Sequence, residues 1–335
     1  MKNLTSTEII KKLFIAFSEQ DEDEFYQFAE DYINLERRKK HNIVARELKE
    51  ALYNHDTKFS MRKNRYKTNM PIPRDNDNGF PLFEIKEYYL GWEQLILSDK
   101  TKYVLNQIVD EIQALEVLAT YNLRPKNKVL FCGEPGTGKT FSAQVLSSVL
   151  QLPLIVVRFD AIISSYLGET ATNLRKVFDF IGNGRWIVLF DEVDIIGKNR
   201  DDHHETGEIK RVVNNFLQML DNFEGDSLII AATNHPHILD PAIWRRFDEV
   251  ISFELPDDTA RLQILQLYLK SIKKDSDIDL ELLSKKTKDF TPSDLETMCK
   301  EAMKHAIVSG RDVLTERDLE FAYSRFINRF EIRQR

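Results

Sequence analysis

One stretch of the chain has the residue types that hold a nucleotide phosphate: Gly133, Glu134, Pro135, Gly136, Thr137, Gly138, Lys139 and Thr140. It follows a short apolar run and precedes a helix predicted to begin near Phe141. Glycines let backbone N–H groups curl around phosphate oxygens, and the helix N-terminus adds the positive end of its dipole. We expect Lys139 to reach the β- and γ-phosphates and the Thr140 hydroxyl to bind Mg²⁺. A glycine-rich turn without a ligand is the alternative, but all four fixed positions of the phosphate-binding pattern occur here in the required context.

Two acids, Asp191 and Glu192, directly follow the apolar run Ile187–Phe190. A buried parallel strand delivers the residues at its C-terminal end to the ligand crevice. We expect Asp191 to hold the Mg²⁺ shell and Glu192 to polarise the attacking water as a base. An acidic pair after a strand, taken alone, also suits the N-cap of a helix. Together with the phosphate-binding loop, the pair predicts hydrolysis.

Three more polar residues have a place in such a site. Asn234 ends the apolar run Leu228–Ala232, and its amide would hold the water in line with the γ-phosphate; its alternative role is to begin a turn. Arg245 and Arg246 stand before the last predicted strand. They are either an exposed surface pair or arginine fingers that reach the γ-phosphate of a neighbouring subunit.

The elements that must position these residues alternate through the middle of the chain. Helix-like stretches separate short apolar runs at Val129–Cys132, Leu154–Val157, Ile187–Phe190, Leu228–Ala232 and Val250–Phe253. Runs that are apolar on both faces predict a parallel sheet covered on both sides by helices. From Pro256 onward only helical spacing remains, so we expect the chain to end as an all-helical module.

The N-terminal part has a different pattern. One apolar helical stripe is formed by Phe25, Phe28, Tyr32 and Leu35, and apolar spacing resumes at Val44, Leu48 and Leu52. Either a helical hairpin or one long helix with a solvated middle gives this pattern. We predict an N-terminal helical module at 1–55, a polar linker at 56–80, an α/β domain at 81–256 and a helical domain at 257–335.

Composition sets broad limits on this chain of 335 residues. It is 42% hydrophobic and 30% charged with a net charge of -7, which gives no reason to expect nonspecific nucleic-acid binding. Its two cysteines indicate neither a disulfide framework nor a zinc site. No stretch approaches the roughly 20 apolar residues of a membrane span. We therefore expect a cytoplasmic protein without a membrane partner.

The segments GEPGTGKT, LFDEVD, AATN and DPAIWRRFDE, in this order and spacing, resemble the motifs of the AAA ATPases of the AAA+ superfamily. The resemblance extends from about Leu82 to the C-terminus. The adjacent arginines are similar to those of the katanin, spastin and vacuolar-sorting branch and of stand-alone bacterial-type AAA ATPases. The resemblance implies a P-loop NTPase fold: an α/β doubly wound parallel sheet with a C-terminal helical lid, preceded here by the N-terminal helical module.

The same resemblance implies a role for each motif. It makes the phosphate-binding loop a Walker A motif, the acids Asp191 and Glu192 a Walker B motif, Asn234 sensor 1, and the two arginines the arginine fingers. The chain departs from the superfamily where many members have a second-sensor arginine, because Pro292-Ser293-Asp294 stands there. That absence favours the AAA clade and argues against clamp loaders.

In AAA unfoldases, an aromatic followed by an aliphatic residue and glycine forms the first pore loop. Tyr166 and Leu167, within SSYLGET, occupy this place. Six subunits would then present six aromatic faces to a polypeptide threaded through the central channel. The alternative is that Tyr166 packs on its own domain.

The sequence thus predicts an Mg²⁺-dependent ATPase that works as a ring and remodels, unfolds or disassembles a protein substrate. We expect the ring to be a hexamer. The N-terminal module is the candidate contact for an adaptor or a protease. Two alternatives stay open. One is a nucleic-acid-associated AAA+ ATPase, because basic clusters near the N-terminus could contact nucleic acid. The other is an ATP-gated scaffold that recruits partners.

Overall fold

The computed structural model divides the chain into two compact units, residues 1–69 and 70–335. The structure describes residues 6–18, 22–39, 44–45, 71–75, 79–158, 162, 169–193, 206–238 and 241–334. No helix in this described part combines the length and the apolar character needed to cross a membrane.

The first unit contains two packed helices, α1 (Ser6–Ser18) and α2 (Glu22–Arg38). Ile9, Ala16 and Ile33 are buried. The Lys12 ammonium of α1 lies 4.8 Å from the ring centre of Phe28, one member of the predicted stripe. A lysine in this position is attracted by the negative face of the ring. Leu48 and Leu52, where apolar spacing was predicted to resume, lie outside the described residues.

The second unit is built on a six-stranded sheet in the order β1-β3-β4-β5-β2-β6. Its strands are β1 (Phe83–Lys86), β2 (Lys128–Gly133), β3 (Leu154–Val157), β4 (Ile187–Phe190), β5 (Leu228–Thr233) and β6 (Glu249–Phe253). Strands β2 to β6 run parallel, which confirms the predicted sheet. The edge strand β1, which runs antiparallel to β3, was not predicted, because Phe83 is the one fully buried residue of its four and they form no continuous apolar run.

Helices cover both faces of the sheet. Their bounds are α3 (Asp99–Gln113), α4 (Leu115–Thr120), α5 (Lys139–Leu150), α6 (Glu169–Gly182), α7 (Thr206–Asp221) and α8 (Pro241–Trp244). Leu189 of β4 belongs to the core that α3 and α5 form on one face. The next residue, Phe190, contacts the other face, where its ring centre lies 5.7 Å from Phe178 of α6 and 5.1 Å from Phe216 of α7. Successive side chains of a strand point to opposite faces, so a strand buried on both is apolar throughout.

The C-terminal part, which we call the lid, has its own core. Its helices are α9 (Asp258–Tyr268), α10 (Leu280–Lys286), α11 (Pro292–Val308) and α12 (Glu316–Gln334). Leu265, Leu295 and Met298 are fully buried among them. The lid differs from the all-helical expectation in one detail. The parallel pair β7 (Lys273–Lys274) and β8 (Val313–Leu314) has two residues a strand, too few to give a periodic signal.

Two described parts of the end of the predicted linker are hydrogen-bonded to each other just before β1. The Asp75 N–H donates to the Phe80 carbonyl at 2.9 Å, and the Arg74 guanidinium donates to the Gly79 carbonyl at 2.7 Å. The domain boundaries proposed from the sequence remain a prediction.

A buried carboxylate at the start of α12 organises the lid. Asp318 is fully buried and accepts two hydrogen bonds from the Arg311 guanidinium, at 2.7 and 2.6 Å. It also accepts the N–H of the N-cap residue Thr315 at 2.9 Å and lies 2.6 Å from His305 Nδ1. The Arg311 hydrogen bonds, above all, hold the pKa of Asp318 well below its usual range, against the opposing effect of burial. Asp318, as an anion, therefore joins the start of α12 to His305 of α11 and to Arg311 in the loop that follows α11.

We expect Asp318→Asn to lower the free energy of unfolding at pH 7 by about 2–3 kcal/mol, because Arg311 keeps its charge and loses its partner. A carboxylate whose pKa is depressed by folding stabilises the protein above the unfolded-state pKa of about 4 and less so as the pH falls. Between pH 4 and pH 3, wild-type stability should thus fall by about 1 kcal/mol more than that of the variant. Urea unfolding at a series of pH values measures the free energy of unfolding and its dependence on pH. The exposed Asp312→Asn is the control, and equal pH slopes in wild type and Asp318→Asn would contradict this account.

The lid begins directly against the phosphate-binding loop. The Ser293 N–H, in the first turn of α11, donates to the Gly136 carbonyl at 3.2 Å. A Cβ at Gly136 would lie 2.8 Å from Thr291 Oγ1 and 3.1 Å from Ser293 Cβ. Only glycine leaves room for this approach. Gly136 also has φ +80°, a backbone conformation that favours glycine.

Gly136→Ala should therefore destabilise the protein more than Gly138→Ala. Both glycines have positive φ, so alanine strains the backbone at either position by roughly 1–2 kcal/mol. A Cβ at Gly138 would meet no atom within 4 Å, whereas one at Gly136 would clash with Thr291. We expect the melting temperature without nucleotide to fall several degrees further for Gly136→Ala, about 2–4 °C per kcal/mol for a unit of this size. Equal decreases would show that the lid contact contributes nothing.

Candidate nucleotide site

The predicted phosphate-binding loop joins strand β2 to helix α5. β2 ends at Gly133, and α5 begins at Lys139 after Gly138, whose φ is +102°. The space where a Cβ of Gly138 would point is open, with no atom within 4 Å. A loop of left-handed glycines at the N-terminus of a helix directs backbone N–H groups outward, where an anion is favoured.

The Lys139 side chain is held by the loop that precedes it. Lys139 is only 6% exposed, and its ammonium donates to the carbonyls of Gly133 and Glu134, at 2.8 Å each. The loop is braced by a third bond, from the Thr137 hydroxyl to the Glu134 carbonyl at 2.8 Å. A positive charge fixed against the loop in this way suits a phosphate ligand.

The two predicted metal ligands lie together, although they are far apart in the sequence. Thr140 Oγ1 donates to Asp191 Oδ2 at 2.8 Å, because α5 starts beside the end of β4. The other carboxylate oxygen, Asp191 Oδ1, accepts the Glu192 N–H at 3.0 Å. A hydroxyl and a carboxylate are hard oxygen ligands of the kind Mg²⁺ prefers alongside phosphate and water oxygens. Among the described residues, no three His, Cys, Asp or Glu side chains cluster as a metal site of their own.

The predicted base has an unusual backbone. Glu192 is exposed and has φ +54°, the left-handed region that L-residues avoid. Such strain costs about 1–3 kcal/mol and persists where the surrounding structure enforces it, often at functional sites. No local pattern of residues predicts this conformation.

Asn234 lies between the two halves of the site. Strand β5 is the neighbour of both β4 and β2, and its last paired residue, Thr233, is opposite Cys132. Asn234 follows immediately and is half-buried. The parallel strands thus bring Asp191, Asn234 and the loop to one edge of the sheet.

The cysteine before the loop is a structural residue. Burial raises the pKa of the Cys132 thiol to about 11, against the opposing effect of the nearby Lys139 ammonium. The thiol is therefore neutral at pH 7 and packs at the end of β2 as a small apolar side chain.

Arg245 and Arg246 lie at the other end of the strands, where β2 and β6 begin. β6 runs parallel to β2, with Glu249 opposite Val129 and Phe253 opposite Gly133. The arginines precede β6, so the length of β2 separates them from the loop. At about 3.3 Å per residue, its six residues span roughly 20 Å, well beyond the reach of an arginine side chain. The fold does not bring the predicted fingers to the phosphate-binding loop of their own chain.

The two arginines differ in their surroundings. Arg246 Nε donates to Asp221 Oδ2, at the end of α7, at 2.8 Å, while Arg245 is exposed. The ion pair was not predicted, because its partners are 25 residues apart and no local pattern links them. The other predicted contact residues, Tyr166 and Leu167, lie outside the described residues.

The residues present fit a nucleoside triphosphate with Mg²⁺. The open space at Gly138, the Lys139 ammonium and the Thr140–Asp191 pair form a cradle whose charges and donors suit phosphate oxygens and a hard cation. Bound Mg²⁺ would neutralise phosphate charge.

Comparison with known proteins agrees with this geometry. Residues 129–255 match the ATPase family associated with various cellular activities (AAA), and residues 277–321 match the AAA+ lid domain. An uncharacterised AAA family ATPase of Sinorhizobium fredii is 35% identical over 315 residues, which cover 94% of this chain and 93% of that protein. A cell division cycle protein 48 homologue of Archaeoglobus fulgidus is 38% identical over 67% of this chain and 31% of its own length. A proteasome-activating nucleotidase of Saccharolobus solfataricus is 37% identical over 61% of this chain and 54% of its own length.

The fold, the phosphate-binding loop beside its acidic pair and the near full-length similarity agree with one another, and the chain belongs to the AAA family of ATPases, with ATP hydrolase activity and an AAA+ lid.

Proposed function

We propose that this protein is an Mg²⁺-dependent ATPase that assembles into a ring, in which an arginine of each subunit completes the ATP site of the next. The ring, of six copies, converts ATP hydrolysis into remodelling of a polypeptide. The single observation that supports assembly most directly is the separation of Arg245 and Arg246 from their own phosphate-binding loop by the length of β2.

Within one subunit, the residues at the C-terminal edge of the sheet have separate tasks. Lys139 exchanges its bonds to loop carbonyls for bonds to the β- and γ-phosphates, while Thr140 and Asp191 hold Mg²⁺. Glu192 accepts a proton from the attacking water, and Asn234 orients that water. Exposure of Glu192 suits this task, because its carboxylate must be reached from solvent.

The finger function requires a second subunit. Removing a finger arginine from a phosphoryl-transfer site typically lowers turnover about 10³-fold or more, because the developing charge loses its partner. Arg245 is exposed and available for this contact, while Arg246 is paired with Asp221. The pair is partly exposed, so it is worth at most about 1 kcal/mol and is readily exchanged for a stronger anion.

The proposal of a polypeptide substrate is supported by the relatives, which include proteasome-activating nucleotidases and a cell division cycle protein 48 homologue. Tyr166 and Leu167 are our candidates for the residues that grip the threaded chain. The N-terminal module is our candidate for recognising an adaptor or a protease.

The trans arrangement is tested by mixing two inactive chains. A chain with Arg245→Ala and Arg246→Ala keeps its phosphate-binding loop, and a chain with Lys139→Ala keeps its fingers. Each alone should hydrolyse ATP at least about a hundredfold more slowly than wild type. The mixture should regain activity, because mixed rings contain complete sites at some subunit boundaries.

The control for this experiment is a mixture of the finger-less chain with a chain carrying all three changes, which should stay inactive. Wild-type protein should also show specific activity that rises with concentration. A dilute monomer with full activity would exclude the trans site.

Tyr166→Ala tests the polypeptide-directed output. If Tyr166 grips substrate, the variant should assemble and hydrolyse ATP at nearly the wild-type rate while losing remodelling, and Tyr166→Phe should be close to silent. If Tyr166 packs in its own domain, truncation would cost about 3–5 kcal/mol and the melting temperature would fall sharply. A thermal melt beside ATPase and substrate-unfolding assays separates the two. Full remodelling by Tyr166→Ala would show that Tyr166 does not grip the substrate.

A further inference from the structure

We propose that Asp248 is a positioning residue for the arginine fingers. Its hydrogen bonds to the start of β2 hold Arg245 and Arg246 where they can reach the ATP site of the next copy. Asp248 follows Arg246 by two residues and directly precedes β6. This inference rests on the proposed trans site, and it gives a task in that site to a residue that acts through the fingers and not on ATP itself.

Asp248 is bonded to β2 through its side chain and through its backbone. Its Oδ2 atom accepts the backbone N–H groups of Asn127 and Lys128 at 3.0 and 2.9 Å. Its own N–H donates to the Lys128 carbonyl at 2.8 Å. Hydrogen bonds to a carboxylate are roughly twice as strong as those to a neutral acceptor. These bonds fix Asp248 at the point where the chain passes from the fingers into β6.

The same bonds belong to a closed circuit. Arg246 Nε donates to Asp221 Oδ2 at 2.8 Å, at the end of α7. Four residues further along the chain, the Gly225 carbonyl accepts the Asn127 side chain at 3.1 Å, and the Asn127 backbone leads back to Asp248. Because the circuit is closed, Arg246 and Asp248 are held against two segments that are also bonded to each other. The fingers therefore cannot move as a unit without breaking one of these bonds.

Arg245 stands directly before this anchored stretch. Arg246 is paired, Phe247 is buried, and Asp248 is bonded to β2, whereas Arg245 is exposed. The position of the Arg245 backbone is thus set by the three residues that follow it. A misplacement of about 1 Å in a group that contacts the reacting atoms can lower turnover about a hundredfold. The anchor therefore matters for hydrolysis, although it lies far from the phosphate-binding loop of its own chain.

The bonds of Asp248 remain when Arg246 binds a phosphate. In that state Arg246 leaves Asp221, and the circuit opens at this bond. The bonds of Asp248 to Asn127 and Lys128 do not involve the guanidinium and stay in place. Asp248 is then the side chain that keeps the fingers joined to the sheet while they act.

Asp248→Ala in the full-length chain tests this role. The change removes the acceptor of two N–H groups, so hydrolysis at saturating ATP should fall about ten- to hundredfold. The Kd for ATP should change by less than about twofold, because the phosphate-binding loop is intact. Asp248→Asn keeps an oxygen that can accept the same N–H groups and should retain most of the wild-type turnover. The matched control is Asp226→Ala, which removes an exposed acid at the same end of the strands, before β5, and should be fully active.

Mixing shows which subunit carries the defect. The Asp248→Ala chain keeps its phosphate-binding loop, and the Lys139→Ala chain keeps its anchored fingers. Their mixture should regain activity to the same extent as the mixture of the finger-less chain with Lys139→Ala. The Asp248→Ala chain mixed with the finger-less chain should gain nothing, because both lack the same function.

Three results would each overturn the positioning role of Asp248. They are full turnover by Asp248→Ala, a melting temperature far below that of Asp226→Ala, and no gain on mixing with Lys139→Ala while the finger-less chain does gain. The second would show that Asp248 supports the fold as a whole. The third would place its effect within its own subunit and leave the trans site standing. If the finger-less chain also fails to regain activity with Lys139→Ala, the proposed function itself fails.

Discussion

The common direction of strands β2 to β6 is the constraint on which the rest of the site depends. Because β4, β5 and β2 are neighbours and run parallel, the residues that follow them meet at one edge, where Asp191, Asn234 and the phosphate-binding loop lie. The same direction places the residues that precede β6 at the other edge. If Arg245 and Arg246 serve the site as we propose, a single subunit holds every part of it except these arginines. Only another copy can then supply them, and the polarity of the sheet is the reason.

Two buried charges in the second unit are satisfied in different ways. Asp318 accepts charge-assisted hydrogen bonds from Arg311 as well as backbone and hydroxyl donors, which fixes the junction of α11 and α12. Lys139 donates to carbonyls of the loop itself. Exchanging a neutral carbonyl for a phosphate oxygen strengthens a hydrogen bond of a charged group. The first arrangement suits a permanent joint of the lid, and the second suits a site that binds and releases a ligand.

The lid and the loop are coupled by direct contact. Gly136 has no room for a side chain because Thr291 and Ser293 approach it, and its carbonyl accepts the Ser293 N–H. A shift of the loop on nucleotide binding would therefore act directly on the start of α11. The first turn of α11 is thus the part of the lid best placed to respond to a ligand in the loop.

Local sequence by itself determined where most strands of the sheet, the phosphate-binding loop and the start of α11 lie. The strands after β1 are readable because a strand buried on both faces is apolar throughout, and the predicted runs Leu154–Val157 and Ile187–Phe190 coincide with β3 and β4. The loop is readable because positive φ demands glycine at fixed positions. The start of α11 is readable because Thr291 and Asp294 form a capping box within four residues. The same Thr-x-x-Asp pattern at Thr315 would have indicated the start of α12.

Only the tertiary structure decided which distant residues meet. Strand order and the packing of helices across the sheet decide three such contacts: Ser293 with Gly136, Arg246 with Asp221, and Asn127 with Asp248. Periodicity describes which face of an element is buried, and capping describes where it ends, but neither specifies the neighbour against which that face is placed. The left-handed backbone of Glu192 belongs to the same class, because glutamate has no preference for positive φ and the surrounding structure must impose it.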